Sequence, residues 1–358
     1  VSKKKKSPKK PKHLKQLTRP FEGCDYGEAL LYTPFCGYGD LLYHTPLIRV
    51  LDKIFKGVDV WTFNPEPFKH NPHIKNLMKI NSEHDPEPWD FYGENVFHLS
   101  PARNPTCRHL YQANNHMVDY LTNSAMGLSL RSNEKNLVLQ WSDATRSKVW
   151  ALLIQHGIAD DPFVVVNPVH GWPSRTLPLD FYQEIIQKFQ DDGLKVVLVG
   201  KDVDPTDFVP DDNTVEDVID REVKGLYPSH VFPDVIDLTN KLSFHECCCL
   251  YSYAAVALNT ENGNMVMSST NNHCWNLYIP SLTAPEFRLP HRFGDMNYRS
   301  TVVGNGGNYY PGSDYVTLRG EIDFVNSEVV FPSVNEVWHQ YVSHKDKILE
   351  GTSWKGLC

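Results

Sequence analysis

The sequence predicts an α/β protein of two doubly wound parallel sheets with a cleft between them, and three observations predict it. Its 358 residues exceed one ordinary core and suit two domains of about 150 residues each. Short apolar runs alternate with helical stretches through both halves, the pattern of parallel sheets covered by helices. Turns rich in glycine and asparagine follow three of those runs, at the strand-to-helix junctions where such sheets bind ligands.

The elements follow in order. ALLYTPF (29–35) reads as a buried strand and CGYGD (36–40) as a glycine turn. LLYHTPLIRVLDKIF (41–55) has helical spacing, and Pro46 requires that helix to begin close to Asp40 or Thr45. After Gly57 come a strand at 58–63 and a stretch at 66–80 that mixes turn residues with a short helix. Another strand is expected at 94–100, and helices at 114–128 and 143–157, each closed by a glycine. FVVVN (163–167) opens a second half, with a helix at 179–193 and strands at 194–200 and 235–238. A helix at 243–253, a strand at 254–259, a tight turn at 260–264, a helix from 265 and a strand at 273–279 complete the pattern. The expected units are a basic arm (1–27), an N-terminal domain (28–160), a C-terminal domain (161–332) and a last helix (333–358) packing back on the N-terminal domain.

Composition narrows the class. With 41% hydrophobic and 22% charged residues the chain is ordinarily globular. It has no run of about 18 apolar residues, so no transmembrane segment is expected. The net charge is −8, yet residues 1–19 hold nine Lys or Arg and no acid, leaving a strongly acidic body. Such an arm is either a solubilising tail or a tether to a polyanion. The eight cysteines include Cys247, Cys248 and Cys249 in a row but no CxxC. Neither a disulfide framework nor a zinc site is indicated, and a cytoplasmic compartment is expected.

Three turns carry candidate chemistry, because free N–H groups at a helix start favour anions. In the first, Gly37 and Gly39 flank Tyr38, and Asp40 stands at the helix start. Asp40 is either a helix cap or a carboxylate that takes a proton from an acceptor hydroxyl. The second, 167–178, presents His170, Ser174 and Arg175; an arginine forks two phosphate oxygens, although a surface role reads equally well. The third presents Thr260, Glu261, Asn262, Gly263 and Asn264, as a diphosphate cradle or as ordinary capping residues.

Together, GYGDLLYHTPLIRVLDKIF (37–55), NPHIKNLMKI (71–80), the loop and helix around Arg175, and DLTNKLSFHECCCLYSYA followed by NTENGNMVMSS (237–254 and 259–269) resemble the ADP-heptose lipopolysaccharide heptosyltransferases of glycosyltransferase family 9. The likeness covers roughly residues 29–280 in order and spacing. It implies a GT-B fold of two Rossmann-like domains and an inverting glycosyltransferase without cofactor or required metal. Asp40 would be the catalytic base. Gly39, His170, Ser174, Arg175, Thr260, Glu261, Asn262, Gly263 and Asn264 would bind a nucleotide-sugar donor.

Departures fall on the donor side. Glu261 stands where the family has Asp, Val266 where it has His, Leu177 where it has Trp, and Arg175 where lysine is common. The resemblance therefore does not carry ADP-heptose over to this chain. The expected acceptor is a glycan or lipid-linked saccharide, or a hydroxylated base in viral DNA held by arm 1–19, in which case the compartment is the host cytoplasm. The alternative is a catalytically inactive relative that binds nucleotide or glycan.

Overall fold

The computed structural model describes residues 27–34, 37–81, 88–99, 116–170, 175–202, 225–270, 273–281, 285–290, 299–304 and 329–350. The expectations for the basic arm and for Ser174 lie outside the described residues. No described helix is long and apolar enough to cross a membrane.

Two parallel sheets form the frame. In the first, β1 (Glu28–Tyr32), β2 (Gly57–Thr62), β3 (Asn76–Lys79) and β4 (Val96–His98) are ordered β3-β2-β1-β4. In the second, β5 (Phe163–Val166), β7 (Lys195–Leu198), β9 (Ile236–Asp237), β10 (Val256–Thr260), β11 (Trp275–Ile279) and β12 (Ser300–Val302) are ordered β12-β11-β10-β5-β7-β9. A small antiparallel pair, β6 (Val169–His170) and β8 (Gly225–Leu226), stands apart. β2, β5 and β10 are buried throughout, because helices cover both faces of a parallel sheet and leave no side for polar residues. Strand order reverses between β1 and β4 and again between β5 and β10. The crevices beyond the carboxyl ends of those strands are where such sheets accept ligands.

Several elements differ from expectation. The helix expected across 41–55 is two helices, α1 (Tyr38–Leu42) and α2 (Thr45–Ile54). Pro46 has no N–H to donate to Leu42; the Thr45 hydroxyl donates to the Leu42 carbonyl instead, at 2.7 Å, and the chain restarts its helix there. Residues 76–79, where turn residues and a short helix were expected, form the edge strand β3 beside β2.

The later helices are α3 (Trp89–Tyr92), α4 (Met117–Met126), α5 (Asp143–Gln155), α6 (Leu179–Asp191), α7 (Phe244–Tyr251), α8 (Gly263–Ser269), α9 (Pro285–Arg288) and α10 (Val334–Glu350). Gly127 ends α4 in the left-handed conformation, φ 66°. α7 opens with a capping box: Ser243 Oγ accepts from the Glu246 amide, and Glu246 Oε2 accepts from the Ser243 amide at 2.8 Å. Cys247, Cys248 and Cys249 are free thiols buried in α7; burial pushes the Cys247 and Cys249 thiols up to about 12, as suits packing groups rather than nucleophiles.

Two packing relations cross the expected domain boundaries. α5 packs on α7 of the second half, with Lys148 Nζ 2.5 Å from Glu246 Oε1 and Trp150 against Tyr253. One apolar cluster accordingly runs through both halves, from Leu41 to Met265 and Val266. The final helix was expected on the N-terminal domain; its described residues pack on the second half. Val334, Val337, Tyr341 and Ile348 of α10 join the core of the second half. Tyr341 and Lys345 each donate to the Asp192 carboxylate at 2.7 Å, and Trp338 meets Phe189 of α6 edge-on.

Candidate active site in the cleft

The site lies beyond the carboxyl ends of β1, β5 and β10, where both strand orders reverse. From β1 the chain passes through Gly37, the N-cap of α1, to Asp40 in its first turn. Asp40 is therefore not the cap, and no side-chain cap bond exists at this helix. Its Oδ1 instead takes Arg288 Nη1 at 2.6 Å, while the side chain stays 36% exposed. Behind it, His44 Nδ1 donates to the Asp40 carbonyl at 2.9 Å. His44 is wholly buried, and desolvation lowers its pKa to about 4. A neutral imidazole thus holds the Asp40 backbone carbonyl.

From β10 the chain delivers Glu261 and Asn262. Glu261 is closed off, its side chain 3% exposed. Its Oε2 accepts from the Ser281 hydroxyl at 2.6 Å. Its Oε1 faces Arg175 Nη2 at 3.4 Å and Arg288 Nε at 3.5 Å. Two carboxylates and two guanidinium groups thus make a chain, Asp40–Arg288–Glu261–Arg175, that crosses from one half to the other. Burial works against the Arg288 charge, but Asp40 and Glu261 outweigh it, and the guanidinium is held protonated. The Tyr278 hydroxyl, fully buried on β11, has no hydrogen-bond partner among the described residues and feels the charges of Glu261, Arg288 and Arg175.

The third turn is occupied by its own cap. Asn262 Oδ1 accepts from the amides of Asn264 and Met265 at 2.9 and 3.2 Å, and its Nδ2 reaches Asn167 Oδ1 at 3.1 Å and Thr260 Oγ1 at 3.2 Å. The amides expected to cradle a diphosphate are spent on the strongest kind of N-cap. Thr260 is buried, and the Asn264 side chain accepts from the Tyr251 hydroxyl at 3.1 Å. Gly39 and Gly263 bring the halves together: a Cβ on Gly39 would stand 3.0 Å from Gly263 Cα and 3.3 Å from Val266 Cγ2. Val266, at the position of the family's His, is therefore a packing contact between halves.

The structure thus brings Asp40, Gly39, Arg175, Glu261, Asn262 and Gly263 together. The His170 backbone pairs with Gly225 in the β6–β8 ribbon. Sequence reasoning missed Arg288, Ser281, Asn167 and Tyr278. Asn167 ends a buried strand at a reversal point and carried a readable signal; Arg288 sits in no motif.

No family model matches the chain, and no curated protein matches it. Solved structures do. A glycosyltransferase described as family 9, from Veillonella parvula, superposes with a TM-score of 0.61 at 16% identity, over 91% of this chain and 98% of that one. The ADP-heptose lipopolysaccharide heptosyltransferase II of E. coli superposes with a TM-score of 0.53 at 14% identity, over 88% and 99%. The iron-containing dodecameric glycosyltransferase TibC of enterotoxigenic E. coli gives 0.52 at 11% identity, over 91% and 77%. The chain has the heptosyltransferase-like GT-B fold of glycosyltransferase family 9. One expectation is corrected: TibC contains iron on this fold, so the fold does not imply freedom from metals or cofactors. In this chain no group of three or more His, Cys, Asp or Glu is placed to hold a metal ion among the described residues, so those residues do not offer a site for such an iron.

Proposed function

We propose that this protein is a glycosyltransferase that moves a sugar, with inversion, from a nucleoside-diphosphate donor to an acceptor hydroxyl. The observation that carries the reading is the placement of Asp40, a partly exposed carboxylate of the first half, in the same crevice as Arg175 and the Glu261–Asn262 turn of the second. The fold shared with nucleotide-sugar enzymes supports it.

In this reading the acceptor hydroxyl sits beside Asp40 and loses its proton to the carboxylate as its oxygen attacks the anomeric carbon. The bond from that carbon to the donor's β-phosphate oxygen breaks, and the diphosphate leaves with the electron pair. Arg175 offsets the developing charge, and Glu261 holds that guanidinium in place. A positioned general base contributes about 10²–10⁴ in rate, so Asp40→Asn is expected to lower transfer at least about 100-fold while leaving the melting temperature close to wild type. Full transfer by Asp40→Asn would remove the assignment.

The departures at Glu261 and Val266 favour a second reading, a relative that binds a nucleotide sugar without turnover. Donor hydrolysis by the purified protein that disappears in Asp40→Ala decides for the enzyme. Two acceptor classes fit: a glycan or lipid-linked saccharide, and a hydroxylated base in DNA. The nine cations of residues 1–19 argue for the polyanion, through salt-sensitive affinity independent of sequence. A gel shift on duplex DNA at low and high salt, with and without those residues, separates the two; absence of binding at low salt eliminates DNA.

A further inference from the structure

Resting on the donor-site reading above, we propose that Arg288 is a further donor-binding residue, shared between Asp40 and the donor diphosphate, so that donor binding unmasks the base.

The segment carrying Arg288 follows β11 in the second half yet is docked on the first. The Tyr43 hydroxyl donates to the Arg288 carbonyl, His116 Nε2 donates to the Leu289 carbonyl at 3.0 Å, and Phe287 packs edge-on against Tyr120. These contacts fix the backbone without using the guanidinium. The guanidinium itself divides between Asp40 Oδ1 at 2.6 Å and Glu261 Oε1 at 3.5 Å.

Exposure tells the two acids apart. Glu261 is 3% exposed and lies beneath both arginines, and Ser281 holds its other oxygen. Asp40 is 36% exposed and Arg288 19%. An anion entering the crevice therefore meets Arg288 on the side of Asp40, and it is the Asp40 contact that gives way while Glu261 keeps its hold. Guanidinium groups favour phosphate oxygens through parallel charge-assisted bonds. Transfer of Arg288 to the diphosphate thus leaves the Asp40 carboxylate without its cation and open to the acceptor hydroxyl.

The test is calorimetric binding of inorganic pyrophosphate, ADP and UDP to the full chain, with no turnover required. Arg288→Gln is expected to weaken pyrophosphate binding about tenfold or more, the loss of one charge-assisted contact, and Arg288→Lys by less. Asp40→Asn should bind pyrophosphate more tightly, and that gain should vanish in the Arg288→Gln background, the non-additivity of a shared contact. Equal binding by Arg288→Gln and wild type, or an undiminished Asp40→Asn gain in the double variant, overturns the inference and leaves the donor site standing. No binding of any of the three ligands to wild type overturns the donor-site reading itself.

Discussion

Asp40 is held at two different atoms. Arg288 pairs with its carboxylate, and His44, buried and neutral, supports its backbone carbonyl. The histidine makes a prediction of its own. Its folded-state pKa, about 4, lies below the ordinary 6.5, so the unfolded chain binds the extra proton first as pH falls. Stability is therefore full above about pH 6.5 and declines towards pH 4, by up to about 3 kcal/mol for this one group. Urea unfolding at pH 7.0 and 4.5 should show a smaller loss in His44→Gln than in wild type; an identical loss in both would show that His44 does not titrate this way. At this scale the sequence was partly legible. Asp40, Arg175 and Glu261 stand next to glycines, prolines and strand ends that mark a turn. Arg288 and Ser281 act through partners 248 and 20 residues away, and no local pattern records such distances.

At the scale of elements, the turn after β10 and the start of α1 meet glycine against glycine. Gly39→Ala would set a methyl 3.0 Å from the Gly263 backbone, which has no flexible side chain to yield. The halves must part, at a cost of about 1–3 kcal/mol. A lower thermal midpoint together with reduced nucleotide binding is expected; a variant that melts and binds as wild type does would mean the approach is not tight. Strands were legible because β1, β5, β7 and β10 each hold an unbroken run of three or more apolar residues, and β2 is apolar on both sides of Asp59. β3 was not: Asn76–Lys79 is an edge strand with exposed ends, and its polar sequence carries no period. The break between α1 and α2 was half legible, since Pro46 demanded a helix start but did not reveal that α1 precedes it. The destination of α10 was illegible, because its apolar face fits any apolar surface and only the Asp192 carboxylate, bound by Tyr341 and Lys345, selects α6.

Across the whole molecule, two parallel sheets carry the crevice between them, and the sheets themselves followed from the alternation of strands and helices. The boundary between halves did not, because α5 and α9 each pack on the half to which they do not belong by chain order. The central claim is that a nucleoside diphosphate lies in this crevice between Asp40 and Arg175. Its most direct test is a crystal structure of the protein with a bound nucleoside diphosphate. Phosphate density is expected within hydrogen-bond distance of the Arg175 guanidinium, beyond the carboxyl end of β10 and facing Asp40. Nucleotide density at any other place on the molecule, with this crevice empty, would contradict it.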